Sequence, residues 1–164
     1  MGSGKSAIGR RLASMTAFRL LDTDQLIVEA ARMSINRIFE EEGEEAFRDR
    51  EQKTLSGLSD SFGVVVSTGG GVIIRPENRR LLRAIGFVVW LDASPDVLFE
   101  RAMRSGKRPL LKTENPRERF DELLAQRQQL YEEVAQARID SSVLSHSAAA
   151  RATLGAVRAR RKSL

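Results

Sequence analysis

Residues Gly2-Ser3-Gly4-Lys5-Ser6 match the closing positions of the phosphate-loop pattern G-x-x-x-x-G-K-[ST]. Glycine-rich backbone can turn several N–H groups toward phosphate oxygens, and a helix opening directly after it adds its positive end. In that pattern Lys5 reaches the β- and γ-phosphates and Ser6 ligates Mg²⁺. Asp22 and Asp24 close an apolar run with one residue between them. One carboxylate of such a pair can hold Mg²⁺ or its waters while the other accepts a proton from a hydroxyl nucleophile. The same pair also reads as a turn, with Asp24 as a helix N-cap. Gly69-Gly70-Gly71 follows a second apolar run, where backbone without side chains can approach a ligand closely or turn through positive φ. Four arginines stand out: Arg48, three residues before Glu51; Arg127, between two glutamines; Arg101; and Arg108, ahead of Pro109-Leu110-Leu111. Arg48 and Arg127, taken singly, read as surface residues. An arginine on a mobile lid such as the stretch around Arg108 can close on a transferring phosphoryl group.

These residues need elements to hold them, and the pattern supplies alternating strands and helices. Ile8, Leu12 and Met15 give a helix over 6–17, and 18–22 reads as a strand. A helix follows over 24–33; Ser34 caps another carrying Ile35, Ile38 and Phe39; Gly43 punctuates before a longer helix to about Ser59. Gly63 to Ser67 is an unbroken β-branched run, which predicts a strand buried on both faces. Pro76 opens a helix that Gly86 ends, and Phe87 to Leu91 is the next buried strand. Ser94-Pro95 and Asn115-Pro116 are cap-plus-first-turn signatures for helices to about Arg104 and past Val134. The stretch 105–115 is an aperiodic loop, 138–141 a weak final strand, and 148–160 a last helix. Buried strands alternating with helices predict an α/β fold with a parallel sheet covered on both faces, its ligands outside the strands' carboxyl ends.

With 164 residues, 41% hydrophobic and 30% charged, the chain is expected to form one domain, 1–164. Cysteine is absent, which excludes disulfides and thiolate metal sites and suits a reducing cytoplasm. No apolar run approaches the ~20 residues of a membrane span. The net charge of +5 is concentrated in 151–162, which lacks interleaved aromatics and reads as a solvated helix end, so no nucleic-acid partner is expected. The acidic run Glu40 to Glu45 reads as a solvated helix face.

Taken in order and spacing, the phosphate loop at 2–6, Leu21-Asp22-Thr23-Asp24, Phe47-Arg48 with Glu51, Ser67-Thr68-Gly69-Gly70-Gly71, Arg108-Pro109-Leu110-Leu111 and Arg127 with Leu130-Tyr131 resemble the shikimate kinase family. The resemblance runs from Met1 to about Asp140. It implies a three-layer P-loop kinase fold with strand order 2-3-1-4-5, substrate-binding helices over about 24–59 and a lid over about 105–115. It implies ATP and Mg²⁺ as cofactors, shikimate as substrate, and a cytoplasmic monomer. Gly2, Ser3, Gly4 and Lys5 would hold the nucleotide phosphates, and Ser6 and Asp22 would serve Mg²⁺. Asp24 would bind shikimate hydroxyls and act as base toward the 3-hydroxyl. Arg48 and Arg127 would clamp the carboxylate through bidentate guanidinium forks, with Glu51 orienting Arg48. Gly69, Gly70 and Gly71 would contact the ring, Arg108 would be the lid arginine, and Arg101 would pack on adenine.

Two departures from the family pattern carry expectations of their own. The first glycine of the loop pattern would lie two positions upstream of Met1, so an apolar strand and a glycine are expected ahead of Met1, that strand being the family's central one. The segment 141–146 lacks the arginine or proline common in the family's adenine loop, so His146 either packs on the base or is a loop histidine without a role. Two other readings stay open: a kinase of the same fold acting on gluconate or a nucleoside monophosphate, and an inactive truncated fragment.

Overall fold

The computed structural model describes residues 2–104, 109–111 and 113–162. Helix α1 (Lys5–Thr16) leads into strand β1 (Arg19–Asp22), and three helices follow: α2 (Thr23–Ala31), α3 (Ile35–Glu41) and α4 (Gly43–Ser56). They return to β2 (Val64–Ser67), which lies parallel to β1 with Asp22 opposite Ser67. Next come α5 (Pro76–Ile85), β3 (Val89–Asp92), α6 (Pro95–Arg104) and a short 3-10 turn at Pro109–Leu111. Helix α7 (Pro116–Val134), β4 (Ala137–Asp140) and α8 (His146–Lys162) complete the chain, with β4 parallel to β3 and Asp92 opposite Asp140.

The strands therefore form two parallel pairs, β1–β2 and β3–β4. These are the 2-3 and 4-5 neighbours of the expected order. The pairing corrects one expectation. The run 63–67 was predicted to be a strand buried on both faces and 87–91 another buried strand; the strands form at 64–67 and 89–92, and Val64, Val65, Val66, Val89, Trp90 and Leu91 are only half-buried. Among the described strands each of β2 and β3 has one neighbour, so one edge of each carries no paired strand.

The helices form where sequence and capping agree. Ser34 caps α3 by accepting from the Arg37 N–H at 3.3 Å, and α5 starts at Pro76 and stops at Gly86. Asn115 precedes α7 but makes no side-chain cap bond, so the cap expected there is not formed; Pro116 alone marks the start. Asp22 rather than Asp24 caps α2, accepting from the Asp24 N–H at 3.1 Å. Met15, read with Ile8 and Leu12 on the apolar spacing of the first helix, is 43% exposed, and Phe18, read as the first residue of the strand, lies before β1 and is 46% exposed.

Separate apolar clusters fix the helices that carry the site. Ile27, Ile38 and Phe47 lock α2, α3 and α4 together, and the fully buried Ile38 puts the cost of truncation to alanine at about 2–5 kcal/mol. Leu55, Val72, Ile73 and Val134 tie α4 and the glycine turn to the end of α7. Phe120 and Leu123 of α7 pack on Leu98 and Ala102 of α6, with Phe99 edge-on to Phe120 at 5.4 Å. Ile8 of α1 meets Ala149 and Ala150 of α8.

Candidate active site

The phosphate-loop residues open α1 at the carboxyl end of both strand pairs. Gly2 and Gly4 have φ of 72° and 79°, a left-handed conformation that side chains rarely adopt. A Cβ on Gly2 would lie 2.4 Å from the Leu98 carbonyl oxygen, which belongs to backbone and cannot step aside. Ser3 is buried, and its carbonyl accepts from the Ser141 hydroxyl at 3.4 Å, joining the loop to the end of β4. The exposed Ser6 hydroxyl donates to Asp22 Oδ2 at 2.9 Å. A hydroxyl and a carboxylate placed together beside a phosphate loop are the oxygen donors that Mg²⁺ takes in such sites, alongside phosphate oxygens and water. No group of three or more acidic, histidine or cysteine side chains forms a competing metal site among the described residues.

A second set of charges gathers on α4 and α7. Arg48 and Arg127, which read singly as surface residues, are 4% and 6% exposed. Arg48 sits on α4 and donates through Nη1 to Glu51 Oε2 at 2.8 Å, and through Nε and Nη2 to Glu44 Oε1 at 3.2 and 2.8 Å. Burial opposes the charge on Arg48, but Glu51 and Glu44 more than offset it and hold the guanidinium above its ordinary pKa. Burial lowers the pKa of Arg127, and the nearby Arg48 adds to that, while Tyr131, Glu44 and Glu51 oppose it. Burial raises the Glu51 carboxyl, with Arg48 pulling the other way and Asp24 reinforcing the rise. Glu51 Oε1 and Thr23 Oγ1 are buried with no hydrogen-bond partner among the described residues. Such atoms are rare in folded proteins unless water or a ligand completes them.

The glycine turn fits around these charges. A Cβ on Gly69 would lie 2.8 Å from Asp24 Oδ1 and 3.0 Å from Glu51 Oε1, and one on Gly71 would lie 2.4 Å from Arg48 Nη1. The turn is thus side-chain-free where two carboxylates and a guanidinium press against it. Gly70 points its carbonyl at the Tyr131 hydroxyl, which donates to it at 2.5 Å. Ser3, Lys5, Thr68, Gly69 and Gly70 border a cavity of about 80 Å³ whose other walls are mostly apolar, among them Val72, Ile73 and the β3 strand, so the lysine of the phosphate loop and the glycine turn share a space.

The structure brings Gly2, Ser3, Gly4, Lys5 and Ser6 together at the start of α1 with Ser6 bonded to Asp22, and it gathers Asp24, Arg48, Gly69, Gly71 and Arg127 around Glu51, with Gly70 between the two glycines of that turn. Arg101 on α6 lies beside the loop and donates to the Ser141 and Ser142 carbonyls at 3.3 Å, holding the segment after β4. Arg108 lies outside the described residues. His146 is exposed at the start of α8, with Nε2 3.3 Å from the Cβ position of Gly4, so it borders the phosphate loop. Two contributors went unread in sequence. Glu44 was grouped with a solvated acidic run, yet it holds Arg48, while Glu42 and Glu45 hold Arg50 and Arg75. The glutamate-to-arginine spacing of four residues was the available signal for Glu44. Tyr131 appeared only as a motif neighbour of Arg127.

The family profile for shikimate kinase matches residues 1–158. The shikimate kinase of Actinobacillus pleuropneumoniae is 49% identical over 135 residues, which cover 82% of this chain and 78% of that protein. That of Dechloromonas aromatica is 46% identical over 144 residues, 88% of this chain and 79% of the relative. Among solved structures, the shikimate kinase from Acinetobacter baumannii in complex with shikimate superposes with a TM-score of 0.94 at 36% identity, covering 98% of this chain and 90% of that one. The Aquifex aeolicus shikimate kinase gives 0.82 at 27% identity, over 98% and 93% of the two chains. Profile, relatives and fold agree, and the chain belongs to the shikimate kinase family.

Proposed function

We propose that the protein transfers the γ-phosphoryl group of ATP to the 3-hydroxyl of shikimate, giving shikimate 3-phosphate and ADP for chorismate and aromatic amino acid biosynthesis. The observation that carries the reading is the pair of buried guanidiniums, Arg48 on α4 and Arg127 on α7, with the side-chain-free glycine turn against Arg48 and a cavity bordered by both that turn and Lys5. Two forks suit a planar carboxylate on a small ring, and the phosphate loop suits a nucleotide.

In this reading Gly2, Ser3, Gly4 and Lys5 hold the nucleotide phosphates, and Arg101 orders the segment that borders the base. Ser6 and Asp22 hold Mg²⁺, which when bound supplies charge neutralisation at the phosphates. Asp24 accepts the proton of the 3-hydroxyl as the oxygen attacks the γ-phosphorus, and ADP leaves. Little covalent chemistry is asked of the protein in such transfers; position and charge stabilisation carry the rate. Lys5 and Arg108 serve the transferring group, and Arg48 and Arg127 fix the acceptor. A cytoplasmic monomer is part of the same reading; sedimentation at micromolar concentration tests the monomer.

A coupled ADP-release assay tests the substrate. Shikimate should exceed gluconate and nucleoside monophosphates by roughly 10²-fold or more in kcat/KM: a nucleoside monophosphate leaves the buried arginine pair without a carboxylate, and gluconate carries its carboxylate on an open chain instead of a ring packed against the glycine turn. Comparable turnover of any of these alternatives would overturn the assignment.

A further inference from the structure

Tyr131 makes a bond that the reaction scheme above leaves unused. Its hydroxyl donates to the Gly70 carbonyl at 2.5 Å, from α7 across to a turn 61 residues earlier in sequence. The ring is held from behind. It stacks on Trp90 with centroids 5.5 Å apart and planes 20° from parallel. Arg138 covers Trp90 at 4.6 Å and is itself anchored to Asp92 Oδ2 at 3.0 Å through Nε. The phenol is therefore a fixed point, not a swinging side chain.

Two neighbours give that fixed point a purpose. Arg127 lies four residues before Tyr131 on α7, about one helical turn away. Gly71, the residue after the gripped carbonyl, presses directly on the Arg48 guanidinium, so closely that a Cβ there would meet Nη1 at 2.4 Å. The peptide between Gly70 and Gly71 is planar, so gripping its carbonyl also sets how Gly71 backs Arg48. Glycines have no side chains of their own to hold the plane.

We infer that Tyr131 is a positioning residue for the acceptor: its bond to Gly70 sets the glycine turn against Arg48 and so fixes the spacing between the guanidiniums of Arg48 and Arg127. This rests on the shikimate reading, and the experiment separates the two. Wild-type turnover of shikimate is measured first; its absence would defeat that reading, whatever the variants do. Tyr131→Phe deletes only the hydroxyl. It should raise the shikimate KM about 10-fold, the size expected for one lost buried hydrogen bond, with kcat and the ATP KM within about twofold. The calorimetric Kd for shikimate should move by the same factor. Phe120→Leu, in the α6–α7 core away from the turn, serves as the stability control: it should lower the melting temperature without moving the shikimate KM. An unchanged KM in Tyr131→Phe would overturn the inference. So would an equal rise in Phe120→Leu, or a Tyr131→Phe chain that fails to fold, because the hydroxyl would then serve the fold alone.

Discussion

In the proposed reaction the nucleotide end, at the phosphate loop, and the acceptor end, at Arg48 and Arg127, bind anions by opposite means. At the nucleotide end the work falls to backbone: two left-handed glycines shape the loop, α1 supplies its positive end, and Ser6 stays exposed. At the acceptor end it falls to side chains: Arg48, Glu51 and Arg127 are nearly fully buried, and the glycines serve as empty space beside them. Backbone donors need no counter-charge and tolerate water. Buried guanidiniums need partners before the ligand arrives, and Glu44 and Glu51 provide them for Arg48. A P-loop thus suits a ligand that many proteins share, whereas the buried charge set suits one acceptor.

Substitutions can break this division. The largest effect is expected where the ends meet: Asp24→Asn should lower kcat by about 10²–10⁴-fold while calorimetric ATP affinity stays near wild type. A near-normal rate would remove Asp24 from the role of base. Alanine at the two kinds of glycine gives a mirrored pair. Gly71→Ala must displace the Arg48 guanidinium from its carboxylates and should weaken shikimate binding by roughly 10²-fold, about the cost of disturbing a charged hydrogen-bonded pair, with ATP unaffected. Gly2→Ala strains φ and strikes the Leu98 carbonyl, and should weaken ATP binding while shikimate binding persists. If both variants lost both ligands equally, the two ends would not be separable. Arg127→Lys keeps the charge but loses the fork, and should raise the shikimate KM roughly 10-fold with kcat little changed.

The smallest effect concerns pH. Burial raises the Glu51 carboxyl above its ordinary 4.5 despite Arg48. The folded state then binds that proton more tightly than the unfolded state. Its contribution to stability is complete below about 4.5 and declines as pH rises through the elevated folded value. Melting temperatures of wild type and Glu51→Gln, compared from pH 4 upward, should show this decline in wild type alone. Parallel curves would mean that Arg48 offsets the burial of Glu51 completely.

Much of this was legible in the residues, for definable reasons. Helix ends at Ser34, Pro76 and Gly86 were readable because capping and proline chemistry act over a few residues. Residue types at the site were readable because the loop pattern, the paired aspartates and the triple glycine are themselves local. Burial was not. Arg48 and Arg127 look like surface residues until α2, α4 and α7 pack, and the valines of β2 look like core until the strand has a single neighbour. Glu44 and Tyr131 were missed for a related reason: one looked solvated among its acidic neighbours, and the other acts through a bond 61 residues distant in sequence.

The stack behind the glycine turn has a practical consequence. The chain has a single tryptophan, Trp90, sandwiched between the Tyr131 ring and the Arg138 guanidinium. Any shift of the turn that reaches Tyr131 changes the surroundings of the one indole in the molecule. If occupancy of the acceptor end moves the turn, emission from the unlabelled protein reports it, with no competing chromophore of its kind to subtract.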